Sequence, residues 1–187
     1  MPISFRMLLL MFSLFTLIAC NKPLKQVDLP ASIRLGDRYY TQFVIRYEKN
    51  RHITTNYRRG ASVPINTEVV LLEITNTTIR VKQVLSGQEL LIQNVEKHTQ
   101  NSITQAFDKL FGESKVNLSQ FSKFERKHIN NGTIAKGMTK KAVLASIGYP
   151  PQIATPNLDS NQWTYWSSKF NRFVVYFENG KMVRIQD

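Results

Sequence analysis

Asn179-Gly180 separates two runs of β-prone residues, Arg172-Phe173-Val174-Val175-Tyr176-Phe177-Glu178 and Lys181-Met182-Val183-Arg184-Ile185. No other short feature constrains the chain as much. A two-residue turn with both φ angles positive favours this dipeptide and joins antiparallel strands in one register. That register sets Glu178 opposite Lys181, Phe177 opposite Met182, Tyr176 opposite Val183 and Val174 opposite Ile185. Val174, Tyr176, Val183 and Ile185 then share one face, the one expected to meet a helix. The other face carries Phe173, Val175, Phe177 and Met182, more apolar than a solvated face normally is. It is a candidate protein interface, or else a surface covered by the upstream chain, which is the favoured reading.

The helix precedes the hairpin. In Met138-Thr139-Lys140-Lys141-Ala142-Val143-Leu144-Ala145-Ser146-Ile147-Gly148-Tyr149-Pro150, Thr139 is an N-cap and Val143, Leu144 and Ile147 fall on one face. Gly148 suits a left-handed closing position, and Pro150-Pro151 forbids continuation. A third strand, Gln162-Trp163-Thr164-Tyr165-Trp166-Ser167, lies between helix and hairpin.

This order, a helix opened by Gly-Met-Thr-Lys and closed by Gly-Tyr-Pro, then a Trp-containing strand and an Asn-Gly hairpin, resembles the SmpA/OmlA (BamE-like) domain of bacterial outer-membrane lipoproteins. The resemblance covers roughly residues 129–185. It implies an α+β fold with helices on one face of a three-stranded antiparallel sheet. It also implies a non-catalytic role in assembling or maintaining the outer membrane. About a hundred further residues separate this stretch from the end of the leader described next.

The start of the chain reads as a targeting segment. Arg6 is the only charge in residues 1–19, and the apolar run from Met7 to Ala19 is too short for a membrane span. It ends in Leu17-Ile18-Ala19-Cys20, which resembles the bacterial lipobox. By that resemblance Cys20 becomes the mature N-terminus, carries a diacylglyceryl thioether and is acylated on its amine. Several acyl chains anchor stably where one binds marginally. The other reading is an ordinary signal peptide or signal anchor with Cys20 incidental. Cys20 is the only cysteine, so the mature chain has no disulfide framework and no thiolate metal site. Asn21, not Asp, follows it, which under the sorting rule attached to the family implies the outer membrane. Residues 20–36, with Pro23 and Pro30 and no clear periodicity, read as a tether.

The formal net charge is +12, and the leader removes only Arg6. So basic a chain points to anionic partners such as lipid headgroups, cell-wall polymers or acidic proteins. A lipid-anchored periplasmic location argues against nucleic acid.

Residues 37–113 read as a small β-rich, barrel-like domain. Residues 39–47, 68–74, 78–84 and 89–95 are β-prone runs parted by Gly60, Pro64, Asn76 and Ser86-Gly87. Tyr57-Arg58-Arg59-Gly60 followed by Val63-Pro64-Ile65-Asn66-Thr67 resembles the small Src-homology-like barrels of periplasmic proteins. Ile103, Ala106, Phe107, Leu110 and Phe111 define an amphipathic helix capped by Ser102, ended by Gly112 and packed on this sheet. Residues 114–187 form the second, BamE-like domain, with a further short helix expected within residues 119–128.

Arg46, Lys49, Arg51, His52, Arg58 and Arg59 fall within fourteen residues, interleaved with Tyr47 and Tyr57. They read equally as an anionic docking patch or as a solvated hairpin tip whose charges keep an edge strand soluble. No catalytic constellation is visible. His52, His98 and His128 stand far apart without paired carboxylates, and there is no Gly-rich phosphate loop and no metalloprotease motif. The reading is therefore a periplasm-facing outer-membrane lipoprotein, without cofactor or metal, that supports membrane assembly by protein binding. The alternatives are a module binding peptidoglycan or anionic lipid through the basic strands, and an inhibitor of a periplasmic hydrolase.

Overall fold

Alternating apolar residues build the first sheet. The computed structural model describes residues 22–168 and 170–187, so the apolar run and Cys20 lie outside the described residues. The strands are β1 (Arg38–Thr41), β2 (Ile45–Tyr47), β3 (Arg51–Ile53), β4 (Ala61–Val63), β5 (Glu68–Ile74), β6 (Thr78–Gln83) and β7 (Glu89–Gln93). Two helices follow, α1 (Glu96–Thr99) and α2 (Ile103–Leu110), and then the short strand β8 (Phe111–Gly112). A curled six-stranded sheet runs in the order β3-β7-β6-β5-β1-β8, while β2 and β4 pair as a separate ribbon. Only the β3–β7 pair is parallel. Val69, Leu71 and Ile74 of β5, Ile79 and Val81 of β6, and Leu90 and Ile92 of β7 are buried in one cluster with Ile103, Phe107 and Leu110 of α2. The helix is opened by a capping box in which Ser102 and Gln105 satisfy each other's backbone N–H groups.

The run 39–47 is not one strand, because at Gln42 and Val44 the backbone N–H groups leave the sheet for the carbonyls of Leu110 and Ser146. Helix α2 ends at Leu110 rather than at Gly112, since Phe111 is already extended and pairs with Thr41 of β1. Nor are residues 22–36 a free tether. Pro23 bridges to Thr75, the Leu24 N–H donates to the Ile74 carbonyl at 2.8 Å, and Ile33 is fully buried, 0% exposed, beside Leu29 in the core. Two isolated apolar residues are enough to seat this stretch, although they make no period.

The rest of the chain contains α3 (Lys123–Asn131), α4 (Lys140–Ile147), β9 (Gln162–Trp166), β10 (Arg172–Glu178) and β11 (Lys181–Gln186). The three strands form an antiparallel sheet in the order β11-β10-β9. Thr139 caps α4, and Gly148 closes it at φ 84° and ψ −171°, a positive-φ conformation outside the left-handed helical well and reserved for glycine. Helix α3 starts four residues later than expected, at a capping box of Ser122 and Glu125, and ends on Gly132 in the left-handed conformation.

The hairpin faces are the reverse of those predicted. Phe177 does pair with Met182, but the register then shifts, so that Tyr176 lies opposite Arg184 and Val175 opposite Ile185. The bulge leaves Val183 without a partner and moves Ile185 to the other face. Phe173, Val175, Phe177 and Met182 are buried with Trp163 and Tyr165 against Ala142, Val143 and Ile147 of α4. Val174, Tyr176 and Val183 are the half-exposed set. This second core also takes in Val44, Tyr57 and Ile65 from upstream.

Candidate interaction surface and the junction behind it

The basic residues singled out for anionic docking are mostly engaged by the fold itself. Arg46, on β2, donates to the carbonyls of Asn131 and Gly132 at 3.1 and 3.3 Å, placing a cation at the C-terminal end of α3 where the helix dipole favours one. Arg51 donates to the Gln93 side chain. Arg58 pairs with Asp187 at 2.5 Å and stacks 3.6 Å over the Phe173 ring. Arg59 pairs with Glu48 at 3.3 Å. Lys49 is exposed on a turn in which both it and Asn50 have positive φ, the conformation that joins β2 to β3.

His52 is not on that surface at all. It is 3% exposed, and its Nδ1 lies 2.7 Å from the Arg46 carbonyl oxygen. The carbonyl can only accept, so the neutral ring carries its proton on Nδ1. Burial drives its pKa down to about 4, with the hydrogen bond to Arg46 opposing. Asn56 Nδ2 shares the same carbonyl at 3.3 Å.

His52, Asn56 and Tyr57 line a cavity of about 40 Å³ between the two cores, closed on the other side by Phe43, Ile147 and Tyr149. That is room for a few water molecules at most. Polar contacts hold its walls: the Tyr57 hydroxyl donates to the Tyr149 carbonyl at 2.8 Å, and the Tyr165 hydroxyl donates to that of Gly148 at 3.1 Å. The two rings meet edge to face, 4.8 Å apart, and burial pushes both phenols far above their ordinary pKa. A shallower groove of about 340 Å³ runs past Arg46, Arg58, Ile134, Phe173 and Ile185, an apolar floor edged by two guanidinium groups.

Phe173, Val175, Phe177 and Met182 therefore do not form an outer interface. Their cover comes mainly from α4, and the upstream chain adds Tyr57 and the Arg58 guanidinium.

One polar centre escaped the sequence reading. Glu125 is 8% exposed and accepts from the N–H and hydroxyl of both Ser122 and Thr139, at 2.7–3.0 Å, tying the start of α3 to the start of α4. Burial alone would raise its pKa, but these four hydrogen bonds hold it down to about 2. Ser122-x-x-Glu125 is a capping-box signature that was open to reading. The contact with Thr139 was not.

Among the described residues there is no group of three or more His, Cys, Asp or Glu side chains placed to hold a metal ion. No helix among them is long and apolar enough to cross a membrane. Compared with known proteins, the chain matches no family model, no curated protein and no solved structure.

Proposed function

We propose that this chain is a lipoprotein of the outer membrane, anchored through Cys20 and facing the periplasm, that supports assembly or integrity of that membrane by binding other proteins. It has no chemistry of its own and needs no cofactor beyond the covalent lipid. In this reading a β-rich domain precedes a BamE-like one. The observation that carries the proposal is Leu17-Ile18-Ala19-Cys20 at the end of a short apolar run, joined to a C-terminal half in which α4 packs on β9, β10 and β11. That packing is the arrangement the family resemblance implies.

Protein binding is favoured over the anionic alternatives because Arg46, Arg51, Arg58 and Arg59 each already have a hydrogen-bond or ion-pair partner within the fold. Crosslinking in native membranes, followed by partner identification, tests the proposal. Recovery of β-barrel assembly proteins, with no retention of the purified protein on isolated cell wall, is the expected result. Retention on cell wall without a protein partner would replace this reading with the peptidoglycan-binding one.

A further inference from the structure

We propose that the β5–β6 turn, residues 75–78, lies against the lipid bilayer, so that the body sits on the membrane in one orientation. The inference rests on the anchoring of Cys20 proposed above. From Cys20 to Pro23 there are only three Cα steps, a reach of about 11 Å at full extension. Pro23 is already fixed in the fold through its bridge to Thr75, and the next residue, Leu24, donates to the Ile74 carbonyl. A lipid on Cys20 therefore holds this end of the sheet at headgroup depth, with no slack for the body to turn away.

The chemistry at that end suits a phosphate and glycerol surface. Asn76 and Thr77 are exposed at the turn, and the Asn94 N–H donates to the Thr77 carbonyl at 2.9 Å, bringing the end of β7 alongside. Lys22 and Lys25, both exposed, flank the fixed proline. Of the carboxylates close by in sequence, Asp28 accepts from the Lys25 N–H at 3.3 Å and Glu73 is paired with Arg80 at 2.6 Å. Lys22 and Lys25 beside neutral hydrogen-bonding groups suit an anionic leaflet.

The opposite end of the hairpin is the turn bearing Leu85, which is 99% exposed. Six residues of β6 separate the two ends, about 20 Å at strand rise. The turn of Lys49 and Asn50 belongs to this far end, since Gln88 donates to the Asn50 side chain at 2.9 Å. Lys49 thus points away from the anchoring membrane, toward whatever the periplasm offers.

The test uses the full chain, purified from membranes and reconstituted into phosphatidylethanolamine and phosphatidylglycerol vesicles doped with a nitroxide-headgroup lipid. With Cys20 blocked by its lipid, a thiol-reactive fluorophore reports on Asn76→Cys or Leu85→Cys alone. Several-fold stronger quenching at position 76 is expected. Equal quenching, or stronger quenching at position 85, with intact mass confirming the lipid, would overturn the orientation and leave the anchor standing. A Cys20 without lipid would overturn both.

Discussion

Gly148 approaches Phe43 so closely that a Cβ placed on the glycine would lie 2.6 Å from the ring's Cε2. The glycine closes α4, and the phenylalanine sits where the chain leaves β1, so one contact joins the two cores. Its φ of 84° adds a second reason why no side chain fits. Gly148→Ala is expected to cost about 2–4 kcal/mol, from backbone strain together with displacement of the ring. Urea melts of the single variants and of Gly148→Ala combined with Phe43→Leu check this. The smaller side chain should recover part of the loss, and strict additivity would show that the ring contact contributes nothing.

His52 makes stability depend on pH in the mildly acidic range. Its folded pKa of about 4 lies below the ordinary 6.5, so the unfolded chain binds the proton more readily. Its contribution is complete above pH 6.5 and is lost as pH falls toward 4, by about 3 kcal/mol in all. His98, whose pKa is also lowered, by burial and then by Lys97 and Arg172, acts in the same direction. The measurement is therefore the difference between wild type and His52→Gln across that range. A difference that does not change with pH would contradict the burial of a neutral ring.

Glu125 acts in a lower window. Its folded pKa of about 2 lies below the ordinary 4.5, so the carboxylate stabilises the fold above pH 4.5 and loses that effect as pH falls through about 2. Glu125→Gln is expected to lower stability at pH 7 by about 1–3 kcal/mol, the usual worth of hydrogen bonds to a charged group. The gap from wild type should shrink steadily below pH 4.5. Chemical denaturation at pH 7, 4 and 3 checks both statements.

Local chemistry made much of this α+β fold legible in the sequence. The alternation in β5 to β7, the periodicity of α2 and the Thr139 and Gly148 ends of α4 each depend on residues within a few positions. What escaped depends on single residues or distant partners. One bulge at Val183 moves Ile185 to the opposite face of β11, and nothing in Met182-Val183-Arg184 announces it. Ile33 fills a core without any periodic neighbour. Arg58 looks like a free cation until Asp187, 129 positions away, and Phe173 are brought to it. The cluster reads equally as a docking patch or as a solvated hairpin tip for that reason: charge is visible in a sequence, whereas the partners of each side chain are a tertiary property.

The proposed function depends above all on Cys20. Its most direct test is metabolic labelling with a radioactive fatty acid, together with the intact mass of the protein extracted from membranes. Label entering the wild type but not Cys20→Ser, with a mature chain that begins at residue 20 and carries a diacylglyceryl group and an amide-linked acyl chain, is the expected result. Equal labelling of both proteins, or a mature chain whose Cys20 carries a free thiol, would contradict it.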